Sequence, residues 1–514
     1  MRWPRHQPER PPVRVAVIGA GFSGLAAAIA LRRAGIDFTV FDSAPHVGGT
    51  WWHNRYPGAE VDLESGVYSF SYAPADWSRT HAQRDELLRY LDGVADNFGL
   101  RPHMVLSEKV ETVTWAAGQG GYVITTASGA AYPPFQAVIS AVGFLSVPRI
   151  PRLAHEGAPF SGVICHTAQW PDGLDLTGKR VGVLGTGSSA VQVVAAAAGC
   201  AAEVKVFQRE PNWLLPRGSH DFSVAERRRR RRPVSRRWHR LNLYARYDLR
   251  QLRMSHARAR GWANRRRRRA SEAYLAAATA GHPELRAMLT PSFPFEAKRT
   301  VLSDDYYQAL LQPHVTLVPH GVKGITATGV VDDNGDRHEL DVVVLATGFH
   351  AASYLASLQV TGPDGTELHG VWAGEPRAFL GMMVPGFPNF FMMYGPNTNS
   401  APPVSFYEAQ ARFAARAIAR LAARRARTVE VSAAVASAYD RWLQAALRRT
   451  VWVQADSYFR AGTGRIVSQW PFCASKYILG TWAGRLALRY DSAASGHPRA
   501  AARLTAAAGQ ERRP

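Results

Sequence analysis

The chain has 514 residues, 46% of them hydrophobic and 20% charged, which is enough apolar side chain for two or three domains and excludes a disordered or fibrous protein. Lys and Arg number 62 against 40 Asp and Glu, giving a formal charge of +22. Three cysteines, Cys165, Cys200 and Cys473, lack C-x-x-C spacing; they argue against a disulfide framework, a dithiol centre and a zinc site, and for a reducing cytoplasm.

Residues 1–12, rich in Pro and Arg, and 493–514, rich in Ala, Arg and Gly, are expected to be disordered. Residues 13–31 are apolar enough to suggest a signal peptide, but they carry glycines in nucleotide-turn spacing and no cleavage pattern. No transmembrane span is expected. Residues 13–18 read as a buried parallel strand that runs straight into Gly19-Ala20-Gly21-Phe22-Ser23-Gly24. A helix over 25–34 and a strand over 38–41 follow, ending at Asp42. In this order Gly19 permits the tight turn, Gly21 the approach of a pyrophosphate and Gly24 the close packing of helix on strand, while Asp42 can accept hydrogen bonds from ribose hydroxyls. Phe22 and Ser23 complete that turn.

Gly48 to Asp62 form one ungapped, aromatic-rich segment that includes Gly49, Thr50, Trp51 and Tyr56. Residues 136–143 and 341–348 are two similar strand-to-glycine stretches. Between them, residues 160–171 hold Phe160, Gly162, His166 and Trp170 in the pattern F-x-G-x-x-x-H-x-x-x-W-P. A second strand, 179–184, leads into Gly185-Thr186-Gly187-Ser188-Ser189-Ala190 and a helix from 191 to 198. Asp42 stands 23 positions after Gly19, and 23 positions after Gly185 stands Gln208, followed by Arg209. Losing the acid removes repulsion toward a 2′-phosphate, and an arginine there can bind it, so the second nucleotide is expected to be NADPH.

Residues 215–295 read as a helical insert carrying two arginine runs, 227–232 and 265–269. Neither run is interleaved with aromatic residues, so both are expected to be solvated helix faces and not nucleic-acid contacts, weak adsorption to anionic surfaces at low salt aside. Ala297-Lys298-Arg299, residues 384–399 with Asn397 and Thr398, a helix over 408–423 and Trp470 are the remaining candidates.

The pattern at 160–171 resembles the fingerprint of Baeyer–Villiger monooxygenases, and residues 48–62 resemble that family's G-G-x-W-x-x-x-x-Y-P-G-x-x-x-D signature at each specified position. The resemblance extends over about residues 13–490. It implies an α/β protein with two Rossmann-like dinucleotide-binding domains, one for FAD (13–148 and 349–490) and one for NADP (155–214 and 296–348), with the 215–295 insert shaping the substrate entrance. It further implies that Thr50, Trp51 and Asp62 approach FAD, that Lys298 holds the 2′-phosphate, and that Arg299 is catalytic with Asp62 orienting it. The backbone of Pro396 to Asn399 would return to the flavin, Trp470 would either sit on a loop that closes over NADP or be an ordinary core tryptophan, and His166 would couple the domains. The implied reaction uses NADPH and O₂ to convert a ketone to an ester or lactone through a C4a-peroxyflavin. Heteroatom oxygenation and, further off, an uncoupled NADPH oxidase are the alternatives. One departure stands out: the ribose-binding acid, more often Glu in the family, is Asp42.

Overall fold

The computed structural model describes residues 13–255 and 261–492, with side chains for all of these except 252–255. The disorder expected at 1–12 and 493–514 lies outside the described residues.

Two parallel five-stranded sheets organise the chain. The first has the order Phe390–Met392, Ala137–Ser140, Arg14–Ile18, Asp37–Phe41, Met104–Val105. The second has the order Val315–Val318, Glu203–Phe207, Arg180–Leu184, Val342–Leu345, Val163–His166. Their inner strands are continuous apolar runs such as Val15-Ala16-Val17 and Val342-Val343-Val344, because a parallel sheet is covered on both faces. The helix Phe22–Arg33 shares one core with the helix Pro403–Ala423. The latter begins earlier than the predicted 408, since a proline is accommodated in the first helical turn.

The chain passes between the two sheets twice, and the crossings lie side by side. Arg149 N–H donates to the Gly348 carbonyl at 2.8 Å and His350 N–H to the Val147 carbonyl at 3.0 Å. After the second crossing, Phe390–Met392 rejoins the first sheet and Gln359–Thr361 pairs with Val110–Ala116.

The 215–295 segment forms the helices Val224–Arg231, Pro233–Ser255, Trp262–Ala278 and Pro283–Met288. Ser223 and Glu226 close a capping box at the first. The longest of them leans on the part of the chain that builds the first sheet: Arg240 donates to the Gly66 carbonyl at 2.7 Å, and Asp248 accepts from Ala474 N–H at 2.8 Å. The arginine runs are only partly solvated faces. Arg227 and Arg231 both bind Asp76, Arg230 lies 4.0 Å over the Phe222 ring, and burial lowers the pKa of Arg267. That part of the expectation is corrected: nearby aromatic and acidic side chains reached through the fold take up arginines that look free in the sequence. Among the described residues no helix is long and apolar enough to cross a membrane.

Candidate active site

Both glycine turns stand at the carboxyl ends of their sheets, where a following helix begins, and both open into one cavity of about 1810 Å³. Each helix starts at a glycine, Gly21 or Gly187, with no side-chain cap and no acid in its first turn. The free N–H groups and the positive helix ends therefore face a space that suits pyrophosphate. A Cβ on Gly24 would fall 1.8 Å from the Gly19 carbonyl oxygen, so this glycine serves helix–strand packing and not the cavity. A Cβ on Gly187 would meet nothing within 4 Å, which leaves its side of the turn open to a ligand.

Gly19, Gly21, Phe22, Ser23, Asp42, Gly49, Thr50, Trp51, Tyr56 and Asp62 line the cavity from the first sheet's side. Gly185, Thr186, Gly187, Ser188, Ser189, Arg209, Lys298 and Arg299 line it from the other. The Asp42 oxygens accept from Ala20 N–H at 2.6 Å and Ala44 N–H at 2.8 Å, leaving lone pairs for hydroxyl donors. Burial raises the pKa of this carboxyl, against the pull of those two amides. Tyr56 spans the two halves, its hydroxyl meeting Gln192 Oε1 at 2.9 Å and Ser189 Oγ at 3.2 Å, and burial pushes the phenol up to about 12.

Arg299 donates to the Asp62 carboxylate on the cavity wall. The side chains stay 40% and 26% exposed, so the pair is desolvated on one side and open on the other. Burial would raise the Asp62 carboxyl, but the Arg299 charge, its hydrogen bond and the nearby Arg217 charge hold it below its ordinary value. Asp62 in turn raises the Arg299 guanidinium well above its own, so the cation is permanent.

Behind the pair lies a buried network that motif spacing does not reveal. Arg217 meets Glu60 at 3.3 Å with both side chains buried, Ser219 donates to Glu60 at 2.8 Å, and Asp304 accepts from the backbone N–H groups of Arg217, Gly218 and Ser219 at 2.9 Å each. The Tyr458 phenol, also on the cavity wall, lies beside the Arg299 guanidinium. Neither Arg217 nor Tyr458 belongs to a motif; only the fold brings them to Asp62 and Arg299.

Several sequence candidates lie elsewhere. Gln208 is buried, donates to the Met288 carbonyl at 2.8 Å and does not line the cavity. Asn397 and Thr398 turn their side chains inward, the Asn397 amide donating to the carbonyls of Ile466 and Gln469 and the Thr398 hydroxyl to the Gly395 carbonyl, which leaves only their backbone for a cofactor. Asn399, the last residue of that stretch, reaches the wall together with Tyr394, the two hydrogen-bonded to each other at 2.8 Å. Trp470 is a core residue whose indole N–H donates to the Cys473 carbonyl at 3.1 Å, not part of an exposed loop.

Phe160, Gly162, His166 and Trp170 also stay off the cavity wall. Gly162 lets the strand Val163–His166 pack closely, since a Cβ would lie 2.2 Å from the Asp341 carbonyl oxygen. His166 meets the Gly348 carbonyl at 3.0 Å and packs edge-on against Phe349, which puts it on the second crossing. Among the described residues no cluster of His, Cys, Asp and Glu can hold a metal ion.

Residues 16–313 match the family model described as pyridine nucleotide-disulphide oxidoreductase. The chain is 35% identical over 481 residues to a Baeyer–Villiger monooxygenase of Streptomyces coelicolor, spanning 92% of this chain and 91% of that one. It is 36% identical over 468 residues to a Baeyer–Villiger monooxygenase of Pseudomonas aeruginosa, spanning 89% and 87%. Among solved structures, an oxidized steroid monooxygenase bound to NADP superposes with a TM-score of 0.84 at 29% identity, over 94% of this chain and 100% of that one. Cyclohexanone monooxygenase from Rhodococcus sp. Phi1 bound to NADP⁺ superposes with a TM-score of 0.82 at 27% identity over the same shares.

Proposed function

The chain belongs to the Baeyer–Villiger monooxygenase family, and from that membership we propose how its own residues divide the work. It is an NADPH- and O₂-dependent flavoprotein monooxygenase that oxidises a ketone to an ester or lactone. One oxygen atom enters the product, the other leaves as water, and NADPH supplies the hydride. When bound, FAD would supply the hydride acceptor and the centre that activates O₂; the protein's part is to bind, orient and exclude water.

In this reading the uncapped turn at Gly19 to Gly24 and Asp42 hold FAD, with Gly49, Thr50, Trp51 and Tyr56 forming its further wall. The turn at Gly185 to Ser189 holds NADPH, with Arg209 taking the 2′-phosphate and Lys298 adding positive charge nearby. Asp62 positions Arg299, and Arg299 supplies a fixed cation where negative charge develops on oxygen during transfer to the ketone. The observation that carries these roles is the Arg299–Asp62 pair, set on the one wall that both glycine turns share.

We assign 13–148 with 349–490 to an FAD domain and 155–214 with 296–348 to an NADP domain. The return of Phe390–Met392 to the first sheet supports that division. The free cysteines support residence in the cytoplasm, and the partners proposed are a small ketone and O₂, with no specific nucleic acid.

Replacing Arg299 tests the assignment. Arg299→Ala is expected to leave reduction of bound FAD by NADPH within a few-fold of wild type in rapid mixing, while oxygenated product falls at least about 100-fold, the loss of one preorganised electrostatic contact. Normal product yield from the variant would overturn the role given to Arg299.

A further inference from the structure

The Pro233–Ser255 helix presents different chemistry on its two sides. Its inner side is anchored: Leu243 is buried, Arg240 is tied to the Gly66 and Ser69 carbonyls, and Tyr247 and Arg250 line the cavity. Its outer side carries Val234, Trp238, Leu241, Ala245 and Leu249, spaced i, i+4, i+7, i+11, i+15, which is one face of an α-helix. All five are exposed, Val234 by 81%, Trp238 by 71% and Leu241 by 59%. A single exposed leucine is ordinary on a protein surface, but an apolar stripe over four turns is not.

Arginines frame the stripe. Arg237 and Arg246 flank it on the same helix, and Arg228, Arg229 and Arg232 precede it, all exposed. Among the described residues, Arg228, Arg229, Arg232 and Arg237 form no ion pair; within the preceding run the acid Asp76 is taken by Arg227 and Arg231. Val224, at the start of the preceding helix, is also exposed, by 85%.

We propose that this face docks the protein on an anionic lipid bilayer, with the apolar stripe in the interfacial region and the arginines on headgroup phosphates. Surface-seeking helices combine these two features, an apolar stripe and flanking cations. A second copy of the chain is a poor occupant, because apposing two such faces would bring unpaired arginines together in a protein of net charge +22. Nucleic acid would satisfy the arginines and leave the stripe in water. Docking is peripheral and needs no spanning helix.

The docking surface and the cavity wall are opposite sides of one helix about 10 Å thick. A ketone dissolved in the bilayer would therefore meet the cavity within a helix diameter of the membrane, which favours lipophilic ketones as substrates. That consequence rests on the proposed function; the docking itself does not.

The test is co-sedimentation of the full-length, FAD-loaded protein with vesicles of phosphatidylcholine plus phosphatidylglycerol, compared with phosphatidylcholine alone. The wild type is expected to bind the anionic vesicles at least about tenfold more tightly and to release as salt is raised. Trp238→Ser with Leu241→Ser is expected to weaken binding about tenfold while NADPH consumption without vesicles is unchanged. Brominated lipids give a second readout that needs no loss of binding: they should quench a component of the tryptophan fluorescence that is missing in Trp238→Phe. Equal sedimentation of wild type and double variant, no preference for anionic lipid, or a concentration-dependent dimer abolished by the double variant would each overturn the proposal. Because none of these readouts involves ketone oxidation, failure here is distinct from failure of the proposed chemistry.

Discussion

Arg209 reaches the cavity with an exposed side chain and no ion pair among the described residues, while its neighbour Glu210 is bound by Lys298. A guanidinium in that state is available for a 2′-phosphate, and a charge-assisted hydrogen bond of about 1.5–3 kcal/mol corresponds to roughly a ten- to hundredfold change in affinity. Arg209→Ala should therefore raise the KM for NADPH by at least about tenfold and leave the KM for NADH within a few-fold; equal effects on both would show that the residue does not read the phosphate. His81 makes a pH-dependent contribution. Burial, then the Arg217 charge, pushes its pKa down to about 4 from 6.5. Below pH 6.5 the unfolded chain takes up a proton that the folded chain refuses, so this contribution to stability is present above pH 6.5 and is lost as pH falls toward 4, by about 3 kcal/mol in full. Denaturant midpoints measured across that window should fall less steeply for His81→Asn than for wild type, and parallel slopes would contradict this. Residue positions were legible from spacing where a motif fixes the backbone, as at Gly19 or Arg209. Side-chain direction was not: Gln208 has the right offset from Gly185, yet its amide finds the Met288 carbonyl in the helical insert, a partner 80 residues away.

The strand–turn–helix units could be read from sequence because each is local: an apolar run, a glycine turn and a helix are specified within about thirty residues. Gly24 shows how tightly such a unit is built. Its Cα approaches the Gly19 carbonyl so closely that an added methyl would sit 1.8 Å from the oxygen, against backbone that cannot swing aside. Gly24→Ala should lower stability by about 3 kcal/mol, the upper range for overpacking a tight core, and thermal melts should show FAD restoring less stability than it gives wild type. An unchanged melting temperature with full FAD retention would mean that the turn relaxes freely. Other elements depended on distant partners and were not legible. Trp470 carries the same Trp-Pro dipeptide as the fingerprint, and packing decides between its loop and core readings: Trp442 of another helix encloses it together with the nearby Phe472 and Tyr477. The apolar stripe on the Pro233–Ser255 helix was hidden for a related reason, since its residues alternate in sequence with arginines and join only when wound into a helix.

At the scale of the molecule, specific side-chain links join the two halves. Tyr56 reaches from the signature segment to Ser189 and Gln192 on the second sheet's helix, and His166 ties the second sheet's edge strand to the crossing at Gly348. Two nucleotide turns in one chain made the double-sheet plan legible in advance. The single cavity they share, and the placement of Arg217, Glu60 and Tyr458 around Asp62 and Arg299, follow from how the two halves pack and have no local signal. The proposed function requires this cavity to insert one oxygen atom beside a ketone carbonyl. The most direct measurement is mass analysis of products formed by the purified, FAD-loaded protein from NADPH, O₂ and a panel of ketones and thioethers. Esters or lactones one oxygen atom heavier than the ketone are the expected result. Sulfoxides without any ester, or NADPH oxidised with O₂ reduced only to hydrogen peroxide across the whole panel, would contradict it.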